Sequence, residues 1–569
     1  MQPLSIPPWH TPDPVALHAR MRPDHPACID LATDRRWTYA QLDRAIDRMA
    51  GALAALPGMG RGERIAALAR NSGDLLILQQ AAMRMGAIFV PLNWRLSPIE
   101  IAPILDDCAP FLLVGDGTVE VKAPPGCAVT TVEELAAMRE AADPVAHRPR
   151  LEASTPCVIL YTSGTSGRPK GVVLTAQTMF FTAINFGILG DVGSDSVFLC
   201  ESPMFHVIGL VTSIWPPLAH GATILMSGGF DPAVTNDRLA DPNIGITHYF
   251  CVPQMASTLR QAQNFKPQAW SLKALFTGGA PNPRANILWW LERGVRMVDG
   301  FGMTETGTTL GMSLEPTLIA SKAGSVGLPG PGTMIRLVNE AGMDVPDGMP
   351  GEILVAGPGV TPGYWNRPDE RANAFTADGW LRTGDIGIRD EDGFFTIVDR
   401  RKDIFITGGE NVYPVEVEAV LLDNGYLTDV RTALAGAIAA DALARADATV
   451  AGALGSGEFD AIIDIFSALR EEPSEQLTKY VSHDVSARSA ARFIDRELDG
   501  LWEAQATETD HDARMALLRD FEARLFEQSY SLPVFWLERN VVMNAALRGW
   551  TFSPSNFLYL DHSELWLAE

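Results

Sequence analysis

The sequence is poor in cysteine and in positive charge, and it has no long hydrophobic run. Six cysteines occur in 569 residues, and none has Cys-x-x-Cys spacing. We therefore expect reduced core cysteines rather than a disulfide framework or a cysteine metal site. The 45 basic residues against 69 acidic ones give a formal charge of −24, which argues against non-specific binding to nucleic acid or anionic membranes. No apolar run has the length of a membrane span.

The first residues of the chain have no basic stretch followed by an apolar stretch. No secretory signal is therefore predicted, and together with the reduced cysteines this favours a cytoplasmic protein. Apolar residues make up 47% of the sequence, which is enough for a sizeable core. The length predicts about three to four domain-sized units.

The N-terminal part of the sequence predicts alternating helices and strands. Thr38 and Gln41 have the spacing of a capping box. The apolar residues that follow share one helical face: Leu42, Ile46, Met49 and Leu53. A strand at 64–68, a helix at 74–85 and a strand at 87–92 come next. This order predicts a parallel, doubly wound α/β sheet.

The segment 161–171, YTSGTSGRPKG, combines three glycines, four Ser and Thr hydroxyls and one lysine. Strand-like apolar runs precede and follow it. Glycines expose backbone N–H groups to a ligand, hydroxyls add donors and lysine adds a positive charge, so the composition suits a polyphosphate. The segment is not a P-loop, because Arg-Pro separates Gly167 from Lys170. The alternative is a surface hairpin turn.

Two later segments combine glycine with groups that could contact a nucleotide. Residues 275–281 form a strand that leads into a Gly-Gly turn. Residues 298–306, VDGFGMTET, offer glycines for close approach, an aromatic ring that can stack on a base and a carboxylate that can hold Mg²⁺. Each segment alone could equally be an ordinary turn, the second with an exposed acid.

Residues 325–400 are rich in strand and turn signals, which predict a small β subdomain. Within it, Asp385 follows Thr-Gly at a strand end, where a carboxylate could accept both ribose hydroxyls or merely cap the chain. A charged cluster at 399–403 precedes a Gly-Gly pair and would ordinarily be a solvated turn. His206 follows a phenylalanine, a context usually occupied by a packed histidine.

Taken together, these motifs resemble those of the adenylate-forming superfamily, which includes acyl- and aryl-CoA synthetases, peptide-synthetase adenylation domains and beetle luciferases. The resemblance covers about residues 30–425. It implies a large N-terminal AMP-binding domain, 1–398, made of two doubly wound α/β subdomains plus a small β subdomain. It also implies a hinge at 399–430 that begins a mobile C-terminal domain. The implied cofactors are ATP, Mg²⁺ and CoA.

The resemblance also implies roles for individual residues. The catalytic residues would be Lys170, Thr304 and Glu305, and the ligands of Mg²⁺ would be Thr162 and Glu305. The phosphate loop would comprise Thr162, Ser163, Gly164, Thr165, Ser166 and Gly167. The rest of the nucleotide site would comprise Gly278, Gly279, Ala280, Pro281, Asp299, Gly300, Phe301, Gly302, Asp385, Arg400 and Lys402. The acyl or aryl pocket would include His206 and Gly209, and the CoA tunnel Gly408 and Gly409.

The resemblance stops near Gly425. The family continues with a small α/β domain that carries a lysine in a Pro-Arg-x-x-x-Gly-Lys context. In this sequence Lys479 is the only lysine after Lys402, and it lacks that context. Residues 431–569, with a predicted helix at 512–526, instead resemble the C-terminal end of an extracytoplasmic oligopeptide-type solute-binding protein. We therefore expect an atypical α+β tail from a fusion of two gene ends or an assembly artefact, with a natural accessory domain as the alternative.

The predicted function is that of an ATP-dependent acid–CoA ligase for a fatty or aromatic carboxylic acid. Its partners would be the small-molecule acid, ATP and CoA, without nucleic acid. Two alternatives remain: a fragment of a peptide- or solute-binding protein, and a nucleotide-binding relic that lacks full turnover because the usual C-terminal lysine is missing. The sequence fixes neither the acid nor the oligomeric state.

Overall fold

The chain is described by a computed structural model. The described residues are 10, 13–145, 148–162, 169–280, 282–400, 405–407, 410–412 and 496–507, with isolated positions and short strands beyond 507. Contacts divide the chain into two compact units, Met1–Ala419 and Val420–Glu569. Every predicted site residue belongs to the first unit.

The first unit is built from short strands that alternate with helices. Its strands are β1 (Pro26–Asp30), β2 (Arg35–Thr38), β3 (Arg64–Leu68), β4 (Ile88–Pro91), β5 (Leu112–Gly115), β6 (Ala128–Thr131), β7 (Pro156–Thr162), β8 (Lys170–Thr175), β9 (Val197–Cys200), β10 (Thr223–Met226), β11 (His248–Cys251), β12 (Ala274–Thr277), β13 (Met297–Met303), β14 (Gly307–Gly311), β15 (Leu328–Pro329), β16 (Met334–Val338), β17 (Gly351–Ala356), β18 (Leu381–Arg389), β19 (Phe395–Arg400), β20 (Phe405–Thr407) and β21 (Glu410–Val412).

The helices of this unit flank the strands. They are α1 (Pro14–Met21), α2 (Tyr39–Ala54), α3 (Gly73–Met85), α4 (Pro98–Cys108), α5 (Val132–Ala141), α6 (Ala176–Leu189), α7 (Trp215–His220), α8 (Pro232–Ala240), α9 (Pro253–Gln261), α10 (Arg284–Leu291), α11 (Pro316–Ser321) and α12 (Pro368–Ala374). A π-helical turn spans Ile208–Thr212 and a 3₁₀ turn spans Pro267–Ala269.

Three larger sheets organise these elements. A six-stranded sheet has the order β6-β5-β3-β4-β7-β8, and a nine-stranded sheet has the order β15-β14-β13-β12-β11-β9-β10-β1-β2. Both are parallel at their centres. The first has one antiparallel edge, at β7–β8, and the second is antiparallel at both edges, at β1–β2 and at β13–β14–β15. The third sheet, β16-β17-β18-β19, is antiparallel throughout. The predicted α/β class, with two wound subdomains and a small β subdomain, is confirmed.

The predicted capping box begins α2. Thr38 Oγ1 accepts a hydrogen bond from the backbone N–H of Gln41, and Gln41 Oε1 accepts one from Thr38 at 2.9 Å. This exchange satisfies two backbone donors at the helix start. The apolar face predicted for this helix is buried: Leu42, Ile46, Met49 and Leu53.

The next predicted elements agree with the structure to within a residue at each end. The strand predicted at 64–68 is β3, and the helix predicted at 74–85 is α3, which begins one residue earlier. Ser72 Oγ accepts the N–H of Leu75 at 3.1 Å, and this cap places Gly73 inside the helix. The strand predicted at 87–92 is β4, one residue shorter at each end.

The cysteines agree with the prediction that they are reduced. All six are free, and five are buried, whereas Cys127 is partly exposed.

Among the helices in the described part of the chain, none combines the length and the apolar character that crossing a bilayer would require.

The second unit contains helix α13 (Arg496–Thr507) and the strands β22 (Phe535–Trp536), β23 (Arg539–Asn540), β24 (Leu547–Arg548) and β25 (Trp566–Leu567). These strands pair antiparallel as β22–β23 and β24–β25. Only isolated helical positions of the predicted helix 512–526 are described, and Lys479 lies outside the described residues. The predicted likeness of residues 431–569 to a solute-binding protein stays a prediction.

Asn185 on α6 connects the nine-stranded sheet to the small β subdomain. Its Nδ2 donates to the carbonyl of Thr308 on β14 and to Thr333 Oγ1, both at 3.0 Å. Its Oδ1 accepts the backbone N–H of Gly332 at 3.1 Å. The side chain is 1% exposed, so water cannot replace these partners.

We expect Asn185→Leu to lower the free energy of unfolding by about 3 kcal/mol, because buried donors and acceptors lose their partner. Urea unfolding followed by tryptophan fluorescence measures this change. The matched control is Ile188→Ala on the same helix, at a position 58% exposed. Equal losses in the two variants would contradict the bridging role of Asn185.

Candidate active site

The predicted phosphate loop connects strand β7 to strand β8 of an antiparallel hairpin. Thr162, the last residue of β7, is paired in register with Lys170, the first residue of β8. A long hydrogen bond of 3.5 Å joins Thr162 Oγ1 to the carbonyl of Lys170. The antiparallel edge therefore places one predicted metal ligand opposite the predicted catalytic lysine.

The ammonium group of Lys170 has a carboxylate partner that the sequence did not suggest. Its Nζ lies 2.7 Å from Oε2 of Glu370 on α12, and both side chains are partly buried. The segment before α12 is fixed to β8 by backbone bonds from Val173 N to Gly363 O at 3.0 Å and from Trp365 N to Gly171 O at 2.7 Å. The carboxylate is thus held against the strand that carries the lysine.

Glu305 lies in the tight turn of the β13–β14 hairpin, directly after Thr304. The hydroxyl of Tyr364 donates to Glu305 Oε1 at 3.0 Å, and the carbonyl of Glu305 accepts the N–H of Thr361 at 2.7 Å. Glu305 is 8% exposed, so its carboxylate has a defined orientation. Burial, the charge of Glu305 and this hydrogen bond raise the pKa of Tyr364 well above its ordinary value.

The residues present suit a magnesium ion that arrives together with phosphates. Among the residues that the structure describes, no group of three or more His, Cys, Asp or Glu side chains could hold a metal ion. Mg²⁺ in phosphate-transfer sites is commonly bound by one or two carboxylates plus substrate oxygens and waters. The single oriented carboxylate of Glu305 fits this mode and does not fit a protein-only metal site.

A cavity of about 90 Å³ lies beside this hairpin, between α6, the π-helical turn, β12, β13 and β14. Four aromatic rings contribute to its wall: Phe186, Phe250, Phe276 and Phe301. Six of the predicted site residues line it: Gly278, Gly279, Asp299, Gly300, Phe301 and Gly302. The structure thus brings two predicted motifs of distant sequence together around a mainly apolar space.

Two glycines allow the backbone to form this wall. Gly279 has φ of +77°, a left-handed conformation that side chains rarely adopt. A Cβ on Gly278 would lie 2.9 Å from the carbonyl of Gly300 and 3.2 Å from the Phe250 ring. Both glycines of the predicted Gly-Gly turn are therefore required, Gly279 by its backbone conformation and Gly278 by close packing. Ala280, the next residue, is exposed.

Asp299 lines the cavity, and its carboxylate accepts hydrogen bonds from other side chains of the protein. The hydroxyl of Thr277 donates to Asp299 Oδ1, and Nδ2 of Asn282 donates to the same oxygen at 2.9 Å. Burial raises the pKa of Asp299 to about 6, although these donors oppose the shift. The group is therefore buried and partly protonated near neutral pH.

A histidine that does not contact the cavity supports its wall. His248 stacks on Phe276 with ring centroids 5.5 Å apart and on Phe198 with centroids 4.4 Å apart. Its Nε2 lies 2.9 Å from the carbonyl of Gly190, another lining residue. Burial lowers the pKa of His248 to about 4, so the ring is neutral.

The two predicted pocket residues lie outside the lining of this cavity. His206 is exposed, and its ring centroid lies 5.0 Å from that of Phe205. A Cβ on Gly209 would lie 2.1 Å from the carbonyl of Pro203 and 2.4 Å from that of Ser202. Close backbone packing in the π-helical turn therefore accounts for this glycine.

The two predicted ribose ligands are paired residues on neighbouring strands of the small β subdomain. Asp385 on β18 and Arg400 on β19 are direct partners across the antiparallel pair. Asp385 is 5% exposed, and its N–H donates to Thr383 Oγ1 at 3.0 Å. The remaining predicted site residues lie outside the described residues: Ser163, Gly164, Thr165, Ser166, Gly167, Pro281, Lys402, Gly408 and Gly409.

A comparison with known protein families identifies the family of this chain. The family model described as AMP-binding enzyme matches residues 15–365. The chain belongs to the AMP-binding enzyme family. The predicted adenylate-forming resemblance of the N-terminal part is thereby confirmed, and the relatives are CoA ligases, as expected for an acyl-CoA synthetase.

Two curated relatives illustrate the likeness. The chain is 36% identical over 391 residues to a feruloyl-CoA synthase of Amycolatopsis sp, covering 67% of this chain and 77% of the relative. It is 35% identical over 415 residues to an indoleacetate–CoA ligase of Aromatoleum aromaticum, covering 70% and 80%. Neither the family match nor these relatives support the solute-binding alternative.

A solved relative agrees in fold. An o-succinylbenzoate-CoA synthetase of Bacillus subtilis, solved with ATP and a magnesium ion, is 30% identical with a TM-score of 0.65, covering 74% of this chain and 86% of that one. The same protein has been solved with its acyl-adenylate intermediate, at 31% identity and a TM-score of 0.65, covering 73% and 83%. These structures agree with the predicted cofactors ATP and Mg²⁺ for the family.

The sequence did not suggest Tyr364 or Glu370 as parts of the site. Of the aromatic cavity wall it suggested Phe301 but not Phe186 or Phe276. Tyr364 is 59 residues from Glu305 and Glu370 is 200 residues from Lys170. Separations of this size leave no periodic pattern in a single sequence. The residues Gly363-Tyr364-Trp365 indicate a strand and a turn in the sequence, and they give no sign of a contact with Glu305.

We expect Asp299→Asn to change stability in a way that depends on pH. The folded protein favours the protonated carboxyl, so stability from this group is complete below pH 3.8, its ordinary pKa, and is lost as pH rises through about 6. The stability of Asp299→Asn relative to the unmodified protein should therefore rise by about 2 kcal/mol between pH 4 and pH 7. Urea unfolding at both pH values measures it.

The exposed Asp24→Asn variant controls for the loss of one carboxylate. A difference between Asp299→Asn and the unmodified protein that is the same at both pH values would contradict the burial argument.

Proposed function

We propose that this protein is an ATP-dependent acid–CoA ligase that activates an apolar carboxylic acid as its acyl-adenylate and then forms the CoA thioester. One observation carries the proposal. The β13–β14 hairpin supplies both the oriented carboxylate of Glu305 and ten residues of the cavity wall, among them Gly302, Met303 and Gly307 next to the turn. A group suited to nucleotide-bound Mg²⁺ thus adjoins a space suited to an acyl or aryl group.

The first half-reaction joins the acid to AMP. A carboxylate oxygen of the acid attacks the α-phosphorus of ATP, and the bond to the bridging oxygen breaks to release pyrophosphate. Lys170 and the hydroxyls of the loop from Thr162 would offset the charge of the phosphates. Mg²⁺, held by Glu305 and the phosphate oxygens, would add a second positive charge there.

The remaining predicted residues would hold the nucleotide in place. Asp385 and Arg400, partners across β18 and β19, would bind the ribose. The turn from Gly278 to Pro281 would lie along the adenine, and Thr304 would contact a phosphate. Holding ATP and acid in line makes the attack effectively unimolecular, which lowers its entropic cost.

The cavity favours an acid with a compact apolar body, such as an aryl group, over a long alkyl chain. Its volume is about 90 Å³ and aromatic rings form much of its wall. An apolar protein cavity of about 150 Å³ accepts benzene, and this smaller space therefore favours a compact group over a long chain. Relatives named for feruloyl, indoleacetate and succinylbenzoate groups support an aromatic acid.

In the second half-reaction the thiol of CoA attacks the acyl carbon and AMP leaves. Residues 399–430 would form the hinge, with Lys402 as its pivot, and Gly408 and Gly409 would line the CoA tunnel. The family lysine in its Gly-Lys context is missing after this hinge, because Lys479 lacks that context. This absence favours, as a second candidate, a protein that binds ATP but completes little or no turnover.

The proposed location is the cytoplasm.

A panel of acids tests both candidates. The full chain is incubated with ATP, Mg²⁺ and benzoate, cinnamate, indoleacetate, octanoate or hexadecanoate, and pyrophosphate and CoA thioester are followed separately. We expect pyrophosphate release with at least one aryl acid. ATP binding without pyrophosphate from any acid would support the relic, and absence of ATP binding would contradict the ligase assignment.

We expect Lys170→Ala to reduce pyrophosphate release by about 100-fold, because a preorganised positive charge on the phosphates is lost. Lys122→Ala removes an exposed lysine and serves as the control. If Lys170→Ala binds ATP and forms pyrophosphate as the control does, the assignment of the phosphate loop is wrong.

A further inference from the structure

A single segment contacts both charged groups of the proposed site. Within residues 361–370, Tyr364 donates to the carboxylate of Glu305 at 3.0 Å, and Glu370 pairs with Lys170 at 2.7 Å. The two contacted residues belong to different sheets, since Lys170 begins β8 of the six-stranded sheet and Glu305 follows β13 of the nine-stranded sheet. We call residues 361–370 the bridging segment.

The bridging segment is fixed to both sheets by its backbone and by one buried threonine. Thr361 Oγ1 donates to the carbonyl of Val173 at 2.6 Å, and its N–H donates to the carbonyl of Glu305 at 2.7 Å. Thr361 is 2% exposed. The N–H groups of Val173 and Trp365 add two further bonds between the segment and β8. The positions of Tyr364 and Glu370 are therefore set by the scaffold.

The ion pair between Glu370 and Lys170 competes with the proposed role of the lysine. A lysine ammonium group has three donors and one charge. A polyphosphate at the loop would be attracted to that charge and repelled by the carboxylate of Glu370. Both side chains are only partly buried, and such pairs are weak enough to be exchanged for a more highly charged partner.

The hydrogen bond from Tyr364 differs from the ion pair of Glu370. It orients the carboxylate of Glu305, the proposed Mg²⁺ ligand, and it does not compete with the metal ion for that carboxylate. A donated O–H occupies one lone pair of a carboxylate oxygen and carries no charge, so it does not compete with a cation for the negative charge.

We propose that Tyr364 and Glu370 are positioning residues of the proposed adenylation site: Tyr364 orients Glu305 for Mg²⁺, and Glu370 holds Lys170 until the polyphosphate of ATP displaces it. The inference rests on the proposed function. It adds two residues that touch neither ATP nor the acid, and it makes ATP binding an exchange of one anionic partner of Lys170 for another.

The test for Glu370 is a titration of the full chain with MgATP by calorimetry. Glu370→Gln removes the competing charge, and we expect the dissociation constant for MgATP to fall about fivefold, the equivalent of a partly exposed ion pair. Pyrophosphate release at saturating ATP should be unchanged, because in the ATP-bound state the lysine pairs with the phosphates and no longer with Glu370. A purely structural role would weaken ATP binding and turnover together.

Asp369→Asn is the matched control for Glu370→Gln, because it removes the same charge from the neighbouring exposed position of α12. Glu370→Asp, which keeps the charge but has a shorter reach, should give a smaller gain in affinity than Glu370→Gln. Equal affinities for Glu370→Gln and Asp369→Asn would overturn the role of Glu370.

The test for Tyr364 is the effect of Mg²⁺ on ATP affinity. For Tyr364→Phe we expect the Mg²⁺ concentration that gives half of the magnesium-dependent gain in ATP affinity to rise about tenfold, as for other groups that orient metal ligands. ATP affinity without Mg²⁺ should be unchanged. An unchanged Mg²⁺ dependence would overturn the role of Tyr364.

These outcomes are distinguishable from failure of the proposed function. If the unmodified chain does not bind MgATP, the proposed function fails. If it binds MgATP and the variants behave as their controls, only the positioning roles fail. Because affinity is the main measurement, the test does not require the second half-reaction.

Discussion

Backbone hydrogen bonds between β8 and the bridging segment are the contacts on which the geometry of the site depends. They link the six-stranded sheet, which carries Lys170, to the turn that carries Glu305. Neither sheet alone contains both charged groups. Under the proposed function both groups act on the same polyphosphate and need a fixed separation, which the bridging segment provides. The rigidity of the site is therefore a property of the junction between subdomains.

The second requirement of the site is an apolar space next to these charges. Glycines in the Gly-Gly turn and in the β13–β14 hairpin let backbone atoms form one wall, and aromatic rings form much of the remainder. The polar groups at the cavity are satisfied within the protein, as the contacts of Asp299 with Thr277 and Asn282 illustrate. Under the proposed function, an acid in this cavity would meet few competing polar partners, and its carboxylate would remain at the charged end.

The sequence predicted the parts of this protein that depend on local pattern. The capping box at Thr38, the strand β3 and the paired strands around the phosphate loop follow from spacing and apolar runs, and the nucleotide motifs follow from a specific resemblance. What the sequence did not reveal are contacts between residues far apart in the chain, such as Lys170 with Glu370. The packing reason for Gly209 was also hidden, because it depends on two carbonyls of a preceding turn that no periodicity encodes.

The stack of Phe198, His248 and Phe276 has a consequence for how the size of the cavity could evolve. The three rings lie nearly parallel, and the neutral imidazole is held by its hydrogen bond to the carbonyl of Gly190. Phe276 therefore cannot tilt away from the cavity without breaking a stack that extends to the neighbouring strand. Under the proposed function, selection for a larger acid would have to change residues two layers behind the wall. Substrate range would then depend partly on side chains that the substrate does not touch.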